Sequence, residues 1–176
     1  CDLSSFASEL AGLVYCPGTL RLKPLRGLKR EHFVEDWEVN FLGAVQTLQA
    51  NQKLLAASPS ASVVLFSTVA VGTGMSFHAS IAGAKGAIEG LTRSLAAEWA
   101  PKIRVNAIAP SLTDTPLAAG LLGSDAKREA AAERSPLKRV ASAEEVAGLA
   151  HWLLSGQAQN MTGQVLQMDG GMSRIR

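Results

Sequence analysis

Short runs rich in Val, Ile and Leu alternate along the chain with longer segments in which apolar residues recur every three or four positions. The short runs predict β-strands over residues 13–16, 62–66, 103–108 and 164–168. Their composition is that expected of strands covered on both faces. Strands that alternate with helices are typical of a parallel sheet with crossover helices, so the pattern predicts an α/β fold.

The longer segments predict helices over residues 30–57, 79–99 and 142–154. The second of them ends before Pro101, which cannot continue a helix. The third begins at Ser142 and has Glu145 three residues later, which is the spacing of a capping box. The first has one predicted apolar stripe, formed by Phe33, Trp37, Phe41, Val45 and Leu48.

The composition predicts one domain over residues 1–176, with 47% hydrophobic and 18% charged residues. The net charge of +2 comes from scattered Lys and Arg, which argues against nucleic acid and anionic membranes as partners. No stretch approaches the roughly 18 consecutive apolar residues of a membrane helix, and no signal peptide is visible. Cys1 and Cys16 form neither a metal-ligand pattern nor a disulfide framework. Reduced thiols, a cytoplasmic location and no metal site are therefore predicted.

A set of sequence motifs in a fixed order spans almost the whole chain. They are residues 14–18 (VYCPG), 39–43 (VNFLG), 66–68 (FST), 78–91 (HASIAGAKGAIEGL), 104–115 (RVNAIAPSLTDT) and 162–171 (TGQVLQMDGG). In this order they resemble motifs of the short-chain dehydrogenase/reductase family. The resemblance implies a Rossmann-like doubly wound parallel sheet. It also implies hydride transfer between NAD or NADP and a small-molecule carbonyl or alcohol.

The family's Gly-rich turn, whose amides hold the cofactor pyrophosphate, has no counterpart in the chain. The nearest glycine cluster, residues 72–74 (GTG), is predicted to be an ordinary loop. The start at residues 1–3 resembles the end of the family's third strand, so N-terminal strand-helix units of roughly 60 residues are expected to be absent. An apolar edge of the next strand would then need cover from upstream residues or another chain. Weak or absent NAD(P) binding is expected of the chain as given, and NAD is not distinguished from NADP.

The active-site helix departs from the family at one position. The family has a Tyr four residues before the Lys that matches Lys85, and here that position is Ile81, which has no proton to donate. Three matching residues remain. Asn40 corresponds to the residue that holds a water of the proton relay, Thr68 to the hydroxyl that orients the carbonyl, and Lys85 to the ligand of the cofactor ribose. Acid catalysis is therefore expected to be impaired or altered.

Other side chains near Ile81 could replace the missing acid. His78 lies three residues before it, and imidazole suits proton transfer near neutral pH, although a loop histidine with no chemical role is the alternative. Ser80 is expected to cap the helix. Tyr15 is the only Tyr, in a turn away from the usual acid position. Glu89, further along the same helix, is expected to be exposed.

The resemblance also implies cofactor contacts beyond Lys85. Asp2 and Leu3 match positions that meet the adenine, and Gly18 matches the glycine that lets a turn pass close to the cofactor. The loop positions that reach the nicotinamide and pyrophosphate are Pro110, Thr113 and Thr115. Residues 117–136, rich in Ala, Lys and Glu, predict a mobile helical flap over the substrate side.

Ala82, Gly86 and Gly90, spaced by four, predict a smooth ridge on the second helix. In the family this helix and the preceding one pair with their copies in a neighbouring subunit, so a homo-dimer or homo-tetramer is expected. Two functions stay open. The first is a divergent oxidoreductase with an altered acid, favoured by Asn40, Thr68 and Lys85. The second is a catalytically inactive, nucleotide-responsive binding protein or scaffold subunit, favoured by the loss of the Tyr.

Overall fold

The computed structural model describes residues 2–175, so that Cys1 lies outside the described part of the chain. In chain order the elements are β1 (Gly12–Val14), α1 (Arg30–Trp37), α2 (Gly43–Ala57), β2 (Ala61–Phe66), α3 (Val69–Thr73), α4 (Ala79–Trp99), β3 (Ile103–Pro110), β4 (Thr113–Asp114), α5 (Ala119–Leu122), α6 (Asp125–Glu133), β5 (Ala141–Ser142), α7 (Ala143–Leu154) and β6 (Val165–Met168). Strands β1, β2, β3 and β6 form one parallel sheet in that order. The predicted Rossmann-like α/β fold is confirmed.

The core lies on both faces of this sheet because successive residues of a strand point to opposite sides. On one face Val63, Leu65 and Val105 pack with residues of α2 and α4. On the other face Val64 and Ile108 pack with residues of α7. The central strands β2 and β3 are therefore mostly apolar and buried, as their richness in Val, Ile and Leu predicted, although Ser62 and Asn106 are buried polar residues within them.

The predicted helix over residues 30–57 is wrong as a single α-helix. A wider π-helical turn, Glu38–Leu42, separates α1 from α2, and within it the Gly43 N–H donates to the Glu38 carbonyl. Tyr15 Oη donates to the Val39 carbonyl at 2.7 Å. A Cβ on Gly43 would lie 2.2 Å from that Tyr15 oxygen, so any other residue there would displace the phenol from its place. The turn at Asn40 is thus held by a side chain from the segment after β1.

The apolar stripe of this helix is also only partly buried. Leu48 is in the core, but Phe33 and Trp37 are 39% and 41% exposed. Trp37 instead contacts Phe41, with ring centroids 4.5 Å apart. The stripe therefore faces the core in α2 and solvent in α1.

Two expectations for α4 are wrong. The N-cap position is His78, whose side chain makes no capping hydrogen bond, whereas Ser80 is buried and its hydroxyl donates to the His32 carbonyl at 3.4 Å. Glu89 is half-buried rather than exposed, and the Ser67 hydroxyl donates to its carboxylate at 2.7 Å.

The predicted loop at residues 72–74 is partly helical, since α3 extends to Thr73.

The segment after β3 crosses the carboxyl ends of the strands. It contains the short helices α5 and α6 and a two-stranded parallel pair, β4 with β5. Arg128 of α6 donates to both carboxylate oxygens of Asp114 at 2.6 and 3.3 Å, which ties α6 to β4. The helical character of the predicted flap is confirmed. The capping box of Ser142 and Glu145 at the start of α7 is confirmed as well.

Candidate active site

A cavity of about 910 Å³ opens at the carboxyl ends of β1, β2 and β3. Parallel sheets gather ligand sites at this edge, because the loops that follow the strands meet there. Of the predicted site residues, it is lined by Gly18, Thr68, His78, Lys85, Pro110, Thr113 and Thr115. Asn40 lies outside the lining, and so do Asp2 and Leu3, which belong to the segment before β1.

Ile81 lies in the cavity wall on α4, one helical turn before Lys85. It is only 4% exposed, so its side chain packs into the wall rather than into open solvent. A hydrocarbon at this point can shape the cavity but can neither donate nor accept a proton. The wall therefore lacks an acid where the family resemblance places one.

The Lys85 ammonium is buried in the cavity wall, with 8% exposure. It forms no hydrogen bond or ion pair with any other residue in the range 2–175. Burial lowers the pKa of Lys85 to about 8, and the nearby Cys16 thiol acts weakly in the opposite direction. A buried ammonium without a protein acceptor fits a site for ligand hydroxyl groups.

His78 caps α4 and lines the cavity beside Ile81. Its Nδ1 lies 2.8 Å from the Ser76 carbonyl oxygen, and since a carbonyl only accepts, Nδ1 carries the hydrogen. The other ring nitrogen, Nε2, has no hydrogen-bond partner among residues 2–175. The preceding residue, Phe77, has a φ of 70°, and its carbonyl accepts from the Lys23 N–H at 3.1 Å. A strained residue pinned by a second segment fixes where His78 enters the helix.

Thr68 caps α3 by accepting a hydrogen bond from the Ala70 N–H at 3.3 Å. Because this bond uses an oxygen lone pair, the hydroxyl hydrogen of Thr68 remains available for a ligand oxygen. Thr113 and Thr115 lie across the cavity on the loop after β3. The Thr113 hydroxyl donates to the Ser111 carbonyl at 3.1 Å, which braces the loop from within.

Asn40 is fully buried behind the cavity in the π-helical turn. Its Nδ2 donates to Thr19 Oγ1 and to the Asp36 carbonyl, each at 2.7 Å, and its Oδ1 accepts from the Thr19 N–H at 3.2 Å. The Thr19 hydroxyl donates in turn to the Asp36 carboxylate at 2.6 Å. This chain of bonds fixes the orientation of the Asn40 amide and anchors the segment after β1.

Sequence reasoning did not identify Thr19 and Asp36. Asp36 stands between Glu35 and Glu38 in the sequence, so no local signal set it apart, although the structure buries it completely. Arg21 Nε lies 3.8 Å from the same carboxylate, which partly neutralises the buried charge.

Gly18 brings this buried network to the edge of the cavity. A Cβ at Gly18 would lie 3.2 Å from Asn40 Oδ1 and 3.7 Å from Lys85 Nζ. The two polar groups therefore flank a strip of bare backbone, and a larger residue would project between them. Tyr15 is turned away, with its hydroxyl on the Val39 carbonyl and no part in the cavity wall.

Asp2 accepts a hydrogen bond from the Ser4 N–H at 2.9 Å, and the Leu3 N–H donates to Asn51 at 3.0 Å. These contacts order the segment before β1, and the adenine role of Asp2 and Leu3 stays a prediction. Within residues 2–175, no helix is both long and apolar enough to cross a bilayer.

Comparisons with known proteins find relatives that match nearly the whole chain. The profile of a family described as enoyl-(acyl carrier protein) reductase matches residues 3–173. A tropinone reductase homolog from Arabidopsis thaliana is 41% identical over 175 residues, which are 97% of this chain and 65% of the relative. A tropinone reductase homolog from Datura stramonium is 36% identical over 172 residues, 96% of this chain and 64% of the relative. The chain thus spans less than two thirds of the length of these curated relatives.

Solved structures give the same result for the fold. A gluconate 5-dehydrogenase from Burkholderia cenocepacia, in complex with NADP and tartrate, superposes with a TM-score of 0.91 at 26% identity, over 99% of this chain and 69% of that one. An aldohexose dehydrogenase from Thermoplasma acidophilum superposes with a TM-score of 0.91 at 27% identity, over 97% of this chain and 71% of that one.

Proposed function

Because the chain belongs to the short-chain dehydrogenase/reductase family, we propose that it serves the NAD(P)-dependent interconversion of a small carbonyl compound and its alcohol. In this proposal His78 supplies the proton that Ile81 cannot supply. The observation that carries it is the placement of His78 in the same cavity as Thr68 and Lys85, with Nδ1 bound to Ser76 and Nε2 free.

The residues of the cavity fit a nicotinamide cofactor at its ribose end. Lys85 offers a buried ammonium with no protein acceptor, and Gly18 leaves bare backbone beside it. Thr113 and Thr115 supply hydroxyls and backbone across the cavity. When bound, the reduced cofactor provides the hydride for the carbonyl carbon.

The protein's own groups act on the substrate oxygen. Thr68 donates its free hydroxyl hydrogen to this oxygen and so orients the carbonyl. The His78 imidazolium donates its Nε2 proton as negative charge develops there, and the Nδ1 bond to the Ser76 carbonyl stabilises the charged ring. In the reverse direction, neutral Nε2 accepts the proton of the alcohol. Ile81 and its apolar neighbours exclude water from the reacting atoms.

A second function, binding of a nucleotide without turnover, is favoured by Ile81 itself. An apolar residue packed at the family's acid position leaves a site that can hold a cofactor and lacks its usual chemistry. In this reading His78 is a helix cap with no chemical role. The two functions differ in one observable, the transfer of hydride to a carbonyl.

Deuterium transfer tests the proposed reaction directly. We expect the protein, given reduced cofactor with deuterium at the nicotinamide C4, to place deuterium on the carbinol carbon of reactive aldehydes and diketones, as mass spectrometry of the products would show. Cofactor affinity is measured first by calorimetry, and the absence of a Gly-rich turn leads us to expect binding weaker than low micromolar. Bound cofactor without deuterium in any product would contradict the reductase and support the binding protein.

We also propose a homo-oligomer whose subunits contact each other through α1 and α4. The cytoplasmic location stays a prediction. Phe33 and Trp37 expose apolar surface on α1, and the Cβ positions of Gly83 and Gly90 on α4 meet open space. Of the predicted ridge of Ala82, Gly86 and Gly90, a Cβ at Gly86 would instead lie 3.7 Å from Val71 of α3. Open glycines next to exposed aromatic rings permit close approach of a second copy.

The variant Trp37→Lys is expected to convert the oligomer to a monomer, because it places a charge in the contact. Light scattering at several concentrations measures the mass. Phe6→Lys is the matched control, since Phe6 is 85% exposed in the segment before β1 and its loss should leave the mass unchanged. A parent protein that is monomeric at all concentrations would remove this proposal.

A further inference from the structure

Helix α6 turns one basic face towards the cavity. Lys127, Ala131 and the C-cap residue Arg134 line it, and their spacing of four and three places them on one side of a helix. We call these three residues the basic face. The acidic residues of the same helix, Asp125, Glu129 and Glu133, take no part in the cavity wall. A small residue between two long cations leaves room for a ligand group.

The charges of the basic face are not neutralised by the nearby acids. Asp114 is paired with Arg128, and Glu133 is paired with Lys138 at 3.0 Å. Lys127 Nζ donates to the neutral Gly120 carbonyl at 2.9 Å and keeps its charge. For Arg134, residues 2–175 provide neither an ion pair nor a side-chain hydrogen bond.

Arg134 and His78 both line a second cavity of about 450 Å³, which adjoins the first. Both residues line both cavities, and Gly74, Phe77 and Leu22 complete this corner. Among the residues for which the structure gives a position, no Asp or Glu lines either cavity. The ionisable groups around the space are Cys16, His78, Lys85, Lys127, Arg134 and His151. The charged side chains around the space are therefore all cationic, with Lys127 and Arg134 at its solvent-exposed rim.

We propose that the substrate is a keto acid whose carboxylate is held by the basic face. The proposal rests on the proposed function, since it names the substrate class of the same site. A guanidinium binds a carboxylate through two parallel hydrogen bonds, and Arg134 has all its donors free for such a pair. With the carboxylate at Arg134, the carbonyl lies towards His78 and Thr68. The aliphatic chain of the substrate contacts the apolar wall formed by Leu22, Met75, Leu112, Leu117 and Leu121.

Matched pairs of acids and esters test this assignment without requiring turnover. The probes are 2-oxohexanoate, 4-oxohexanoate and 5-oxohexanoate, each beside its methyl ester, titrated into the protein by calorimetry. We expect at least one acid to bind about tenfold more tightly than its ester, and this preference to shrink as salt is added. In Arg134→Gln the ratio of the acid's affinity to the ester's affinity should fall to about one. In Lys127→Gln this ratio should fall to a value between one and that of the parent.

The matched control is Arg26→Gln, which removes the same charge from an exposed turn outside both cavities. It should retain the full preference. Equal binding of acids and esters by the parent would overturn the proposal, and so would a preference that survives in Arg134→Gln. A loss of NADPH affinity in Arg134→Gln, with the acid preference unchanged, would assign the basic face to the cofactor and also overturn it.

The outcome is separable from that of the proposed function. Keto acids that bind through Arg134 but receive no deuterium from bound cofactor would contradict the proposed reduction and support the carboxylate site. Neutral ketones that are reduced as fast as the keto acids, with no effect of Arg134→Gln, would support the reductase and contradict the carboxylate site.

Discussion

Replacing His78 by alanine is expected to lower carbonyl reduction by about 10²- to 10⁴-fold, which is the usual contribution of a general acid. His78 lines the cavity three residues before Ile81, and the hydrogen bond of Nδ1 to the Ser76 carbonyl leaves its Nε2 for a ligand. Adding Ile81→Tyr to this variant should restore much of the loss, because a phenol then stands one helical turn before Lys85. Steady-state consumption of NADPH with a reactive diketone measures both steps.

His32→Ala is the matched control for this experiment. His32 lies on α1, where its Nδ1 accepts the Lys29 N–H at 3.0 Å, and it takes no part in the cavity wall. Its removal should leave the rate of reduction unchanged. A His78→Ala variant that reduces the diketone at the parental rate would exclude His78 as the acid. If no variant turned over while cofactor was bound, the binding-protein function would remain.

Replacing Lys85 by methionine is expected to stabilise the protein while it removes cofactor binding. The pKa of Lys85 is lowered to about 8 by burial, so the folded protein holds this proton less tightly than the unfolded chain does. A shift of this size from the ordinary value near 10.4 corresponds to about 3 kcal/mol of lost stability below pH 8. Methionine fills the same space without a charge, so the unfolding midpoint at pH 7 should rise by about 6 to 12 °C.

The pH dependence of the free energy of unfolding distinguishes removal of the buried Lys85 charge from better packing of the methionine side chain. Because the unfolded chain binds the Lys85 proton more tightly, the parent gains stability as pH rises from about 8 to 10.4, and the variant has no such gain. The difference between the two should therefore shrink between pH 7 and pH 10, as denaturant titrations would show. Lys53→Met, at an exposed position of α2, should show no such convergence. A variant less stable than the parent at pH 7 would contradict the argument.

The sheet was predictable because its signals are local. The Val, Ile and Leu runs placed β1, β2, β3 and β6 to within a few residues, and Ser142 with Glu145 marked the start of α7. The order of the motifs then brought Thr68, Lys85 and the loop at Thr113 to one edge of the sheet, where the structure has the cavity. The strands and the cap depend on periodicity and spacing, which a sequence displays directly, whereas the site residues were placed by the resemblance to the family.

The failures depend on contacts between distant segments. Ser80 has the chemistry of a cap, but its hydroxyl is turned to His32 of another helix. The π-helical turn at Asn40 depends on Thr19 and Tyr15, more than twenty positions away. No periodicity within residues 30–57 could reveal it.

The contact of Tyr15 with Gly43 constrains how this sequence can change over time. The phenol occupies the space that a Cβ at position 43 would enter, and its hydroxyl donates to the Val39 carbonyl of the π-helical turn. A substitution at Gly43 therefore requires Tyr15 to move or to become smaller, and loss of the phenol removes the hydrogen bond to the Val39 carbonyl. The two positions are therefore expected to evolve as a pair. Related sequences should carry either both residues or neither.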